Sequence, residues 1–155
     1  MFIRYRGKTK QMWFPKDTAV QIRQGSLVML TDSGELTTAR NDSTNDKILG
    51  VAMRNDTTTD SGPSPVEVPV ENAVEWLINT DTNNEAADSS VGRLVTVDTE
   101  GGTTAGDSCA VNVDLSDSST ATIAAPIFIT GFISSSRVIG VIAHTAWNQT
   151  YDTAM

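Results

Sequence analysis

With 155 residues and a mass of 16.6 kDa, the chain is the size of one domain and can bury one core without covalent staples. Its 21 Thr and 14 Ser outnumber the 11 basic and 19 acidic residues together, a composition that suits turns and strands and excludes a coiled coil. The single Cys109 excludes a disulfide scaffold, and no run of about 20 apolar residues is present for a membrane-spanning helix.

The charge is unevenly placed. Residues 1–16 hold Arg4, Arg6, Lys8, Lys10 and Lys16 and no acid, a formal +5, while residues 17–155 hold all the acids and a formal −13. An acidic body repels phosphates, so no nucleic-acid partner is expected. Ile3 and Tyr5 alternate with Arg4 and Arg6, a pattern that adds as a strand to the edge of another sheet. Met12, Trp13 and Phe14 follow as an aromatic anchor before Pro15. The expectation is a basic arm over residues 1–16 that leaves the body and contacts an acidic neighbour through Ile3, Arg4, Tyr5, Arg6, Lys8, Lys10, Met12, Trp13 and Phe14; a solvated tail is the other reading. The basic start is followed by no apolar stretch, so a secretory leader is not expected and synthesis in a reducing cytoplasm is.

From there short apolar or alternating runs are separated by turns. Ala19–Arg23 alternates, Leu27–Leu30 is a continuous apolar strand, and Thr31–Gly34 turns the chain into Glu35–Thr38. A polar loop leads to Ile48–Met53, and 55–63 is a second loop. Val66, Val68 and Val70 recur with period two; Pro69 lies between them and marks an edge strand. Glu75–Ile78 is an apolar patch, and 84–88 is the one candidate for a helical turn. Gly92–Val97, Ala110–Leu115, Pro126–Ile133 and Val138–Ala143 complete the strands. The expected fold is all-β, a small barrel over 17–146 carrying an extended N-terminal arm, with a tail over 147–155. Asp46–Ala52 echoes Ser136–Ile142, each with a glycine inside a strand, which signals two bends or close backbone approaches in similar sheets.

Catalytic groups are sparse. His144 is the only histidine, no Gly-x-Ser-x-Gly elbow or phosphate-binding loop occurs, and one Cys with one His is too few for a structural zinc site. No enzyme activity and no cofactor are expected. Asp56 with Asp60, and Asp81 with Glu85 and Asp88, are oxygen donors without the spacing of a calcium loop, and solvated loop charge is their plain reading. Trp147 and Tyr151 in the tail are further candidates for burial against a partner.

The hairpin Gly25–Thr37, the strand Ile48–Ala52 and the second-half strands Val91–Val97 and Ile139–Ile142 resemble the head decoration, or cement, proteins of tailed bacteriophages, over about residues 19–143. The resemblance implies a β-barrel or β-tulip protein, made in the host cytoplasm, that forms a homotrimer on the virion surface and strengthens the shell. Its implied partners are the major capsid protein and neighbouring decoration subunits, with no membrane, catalytic residue or cofactor. A carbohydrate-binding or adhesin module of a phage tail or fibre, presenting Trp76 and loop carboxylates to a glycan, is the alternative.

Overall fold

The computed structural model describes residues 1–18, 20–31, 33–39, 48–56, 62–71, 74–80, 85–100, 110–115 and 127–142. They form eleven strands: β1 (Phe2–Arg6), β2 (Thr9–Pro15), β3 (Leu27–Leu30), β4 (Leu36–Thr38), β5 (Ile48–Ala52), β6 (Pro63–Pro69), β7 (Glu75–Asn79), β8 (Leu94–Glu100), β9 (Ala110–Asp114), β10 (Ile127–Ser134) and β11 (Arg137–Ile142). The helical turn expected at 84–88 falls further on, as one 3-10 turn over Asp88–Ser90. Asn84 itself lies outside the described residues.

The fold is all-β, in two antiparallel sheets ordered β2-β6-β5-β3-β4 and β1-β7-β11-β10-β8-β9. Leaving β1 aside, the two sheets share one topology. Each runs first strand, fifth, fourth, second, third. In each, a parallel bridge joins the residue after the first strand to the third strand: Lys16 to Leu36 in one, Thr80 to Val113 in the other. Each sheet thus curls upon itself. The similar sheets expected from the glycine echo are therefore present, but the topology matches β5 with β10 and β6 with β11, not β5 with β11.

Two apolar clusters fill the body. Inside the first unit, Ile22, Val28, Leu36, Leu49, Ala52, Val66 and Val68 pack together, with Met12, Phe14, Val20 and Leu30 against them. The second cluster gathers Trp76, Ile78, Val95, Val113, Ile127, Ile129, Val138 and Ile142 from the second unit with Leu27, Ile48 and Val51 from the first. Along β3 and β5 adjacent residues go to different clusters, so these two strands are buried on both faces. That is why Leu27–Leu30 and Ile48–Ala52 read as unbroken apolar runs.

Several expectations are corrected here. Residues 1–16 do not leave the body: β1 pairs with β7 and β2 pairs with β6 over seven residues. The alternation at Ile3–Arg6 does make a strand, but the sheet edge it joins is the chain's own, where pairing also buries Phe2. Lys16, counted in the basic arm, is fully buried, and its Nζ donates to the carbonyls of Val20 at 3.0 Å and Asp17 at 3.2 Å.

The Val66–Val70 segment is not an edge either, since β6 lies between β2 and β5. Its prolines explain how this is tolerated. Val70 N–H donates to the Lys8 carbonyl, and the Pro65 carbonyl accepts from Met53. Even-numbered residues of β6 therefore turn their backbone groups to β2, and odd-numbered ones, including Pro63, Pro65 and Pro69, turn theirs to β5. All seven β2–β6 pairs are kept, while β5–β6 pairing shrinks to Val51↔Glu67 and Ala52↔Val66. Of the alternating segment Ala19–Arg23, the described residues 20–23 contribute one bridge, Ile22↔Asp56, and no strand.

A candidate interaction surface on the first two strands

β1 and β2 are outer strands of the two sheets, joined at Gly7, whose φ of 107° suits glycine. The nine expected contact residues are divided by this placement. Met12 and Phe14 are half-buried against the first unit's cluster and are spent on the core. Arg4 turns toward the neighbouring sheet, where its Nη1 donates to Thr9 Oγ1 at 2.7 Å and lies 3.3 Å from Glu67 Oε1. Thr9 Oγ1 in turn donates to Glu67 Oε1 at 2.6 Å, so this cluster ties the two sheets together. Arg6 is paired with Glu75 at 2.8 Å. The Lys8 backbone N–H donates to Glu71 Oε1 at 2.7 Å.

Ile3, Tyr5, Lys8, Lys10 and Trp13 remain exposed. Trp13 is 54% exposed although its neighbours on both sides pack inward. The alternation of β2 explains this, since Met12 and Phe14 face the core and Gln11 and Trp13 face away. The Arg54 guanidinium stands 5.6 Å from the Trp13 ring centroid, a cation–π contact. Pairing with β6 uses the backbone of Lys8, Lys10, Met12 and Phe14, so Thr9, Gln11 and Trp13 turn their backbone groups to the outer side of β2.

Sequence reading missed Arg54 and the carboxylates Glu67, Glu71 and Glu75. They lie 40 to 70 residues away from the basic segment, and only the strand register brings them to it. The bare charge imbalance was a signal that acids were needed nearby; it did not say they belonged to the same chain.

The remaining candidates stand as follows. Trp76, assigned to a glycan site in the alternative reading, is fully buried, and its indole N–H has no hydrogen-bond partner among the described residues. Asp56 is 5% exposed; its Oδ2 accepts from Ser64 Oγ at 2.7 Å and lies 3.4 Å from Arg54 Nη2, so it is a structural carboxylate and not a loop ligand. Asp60, Asp81, Cys109, His144, Trp147 and Tyr151 lie outside the described residues. Among the described residues no cluster of His, Cys, Asp and Glu is placed to hold a metal ion, and no helix is long and apolar enough to cross a membrane. No protein-family model, curated protein or solved structure matches this chain.

Proposed function

We propose that this protein is a decoration protein of a phage capsid, trimeric on the virion surface, whose β1–β2 surface contacts the major capsid protein or a neighbouring decoration subunit. One observation carries the reading. An outer strand of the molecule presents a 54%-exposed tryptophan between core-facing neighbours, with Lys8, Lys10 and Gln11 exposed beside it. Large aromatic side chains of this kind are the usual anchors of protein interfaces. The outward backbone of Thr9, Gln11 and Trp13 is positioned to accept a strand from a partner, and the lysines favour an acidic one.

Binding to an assembled lattice, and not to loose subunits, stabilises the lattice by mass action, and many copies add avidity. Co-sedimentation with empty capsids tests the reading. The full chain is expected in the capsid pellet and Trp13→Ala largely in the supernatant. Equal pelleting of the two proteins removes β2 as the contact, and no pelleting of either removes the function.

A further inference from the structure

Taking β2 as the contact strand of the proposed function, we infer that its open edge is a docking slot for an extended acidic segment of a different protein, which adds to the first unit's sheet as one further strand. The backbone defines the slot. Even-numbered residues of β2 turn their N–H and C=O groups to β6, so those of Thr9, Gln11 and Trp13 point the other way. Among the described residues no backbone group bonds to them. The slot has two ends. At Gly7, whose φ is 107°, the chain turns away into β1. Past Pro15 the same side of the strand is taken by β4, where Lys16 bridges Leu36 and the Asp17 N–H donates to the Leu36 carbonyl at 3.0 Å.

The side chains set the chemistry of the occupant. Along β2, Lys8 and Lys10 lie on one face and Gln11 and Trp13 on the other. Arg4 and Arg6 meet Glu67 and Glu75. Lys8 and Lys10 are exposed, and among the described residues no carboxylate pairs with either ammonium group. In a chain of net charge −8, these cations flank the open backbone groups. The other face is apolar at Trp13. Trp13 stands opposite Pro65, and Met53, whose N–H donates to the Pro65 carbonyl at 3.1 Å, continues the row. Trp13 is 54% and Met53 37% exposed. A strand laid along β2 places alternate side chains beside the lysines and beside Trp13. A segment that alternates acidic with apolar residues therefore matches both faces.

Charge also separates this occupant from an edge of another copy. The outer strands of the two sheets are β1, β2, β4 and β9. Two β2 edges joined through these backbone groups gather the lysines of both copies on one face, where like charges repel. β1 carries Arg4 and Arg6, β4 has no charged residue, and β9 has one acid, Asp114, at its end. None of them alternates acidic with apolar residues.

NMR titration of the full, isotope-labelled chain with a short capped peptide of alternating glutamate and valine, to millimolar concentration, tests the inference. The amides of Thr9, Gln11 and Trp13 are expected to shift and to slow in hydrogen exchange. Gln11→Pro removes one outward N–H and no bond to β6, a change that an edge strand accepts. With folding confirmed by circular dichroism, it is expected to raise the peptide's dissociation constant at least tenfold, as is the double change Lys8→Glu with Lys10→Glu, which alters exposed sites only. Gln11→Ala is expected to leave the constant within twofold, and a peptide of alternating lysine and valine is expected not to bind. Lysines on an edge strand can also serve only to keep it single. No shifts, equal binding of the lysine peptide, or binding that the folded variants retain overturns the inference. A Gln11→Pro chain that pellets with capsids as the unsubstituted one does overturns strand addition alone; a chain that takes the peptide and never pellets overturns the capsid reading alone.

Discussion

Replacing Gly50 by alanine adds one methyl group at the most crowded point of the first unit. A Cβ there collides with the carbonyl oxygen of Glu67, and Val66 Cγ1 lies 3.0 Å from it. The obstacle is backbone, so relief requires β6 to move away from β5. Only two residue pairs, Val51↔Glu67 and Ala52↔Val66, join those strands, and both flank the collision. Overpacking of a filled interior costs about 1–3 kcal/mol, and each weakened backbone hydrogen bond about 1 kcal/mol more. Alanine recovers roughly 0.5–1 kcal/mol over glycine within a strand. The net expectation is a loss of about 2–4 kcal/mol, or roughly 5–15 °C in Tm for a chain of this length. Gly34→Ala is the control: nothing lies within 4 Å, so only its φ of 81° opposes the change, at about 1–2 kcal/mol. Urea unfolding of both variants measures the difference. A Gly50→Ala loss below about 0.5 kcal/mol, or a larger loss for Gly34→Ala, would refute the close-approach reasoning.

Deleting residues 1–16 removes an outer strand from each sheet together with the buried Phe2 and Lys16; the truncated chain is expected to lose its cooperative thermal transition. The point change Phe2→Ala is expected to cost about 3–5 kcal/mol by denaturant unfolding. Ser64→Ala takes the 2.7 Å hydrogen bond from the buried Asp56 carboxylate and should lower stability by about 1–3 kcal/mol. Trp13→Ala, by contrast, forfeits only an exposed ring and its contact with Arg54, so unfolding should shift by less than about 1 kcal/mol while capsid pelleting falls.

The strands themselves were legible. Turn residues delimit short Val- and Ile-rich runs, and the hairpins at Thr31–Gly34 and Ser134–Ser136 fall where glycine and serine interrupt them. These are local properties, set by side-chain branching, backbone φ and turn chemistry within a few residues. The glycine echo was also informative: a Cβ at Gly50 or Gly140 meets a neighbouring strand. Its limit was the inference of equivalence, since β5 and β11 occupy different places in their sheets.

The basic N-terminal segment was misplaced for a physical reason. Charge counts report that residues 1–16 need acids, and the pattern Ile3–Arg6 reports a strand, but neither reports whose acids or whose sheet. Glu67, Glu71 and Glu75 answer the first and β6 and β7 the second, through pairings between residues about 50 to 75 positions apart in the chain. The prolines of β6 misled similarly, because a missing N–H forbids pairing on one side of a strand only, and which side is filled depends on the neighbours.

What the sequence determined by itself is therefore the all-β class and most strand positions, both of which follow from short-range chemistry. Strand order, the repeated topology of the two units, the burial of Lys16, Asp56 and Trp76, and the open edge of β2 were decided only in the tertiary structure. Period-two patterning tells which residues share a face of one strand; which strands lie side by side is set by the long-range burial that the whole chain achieves at once.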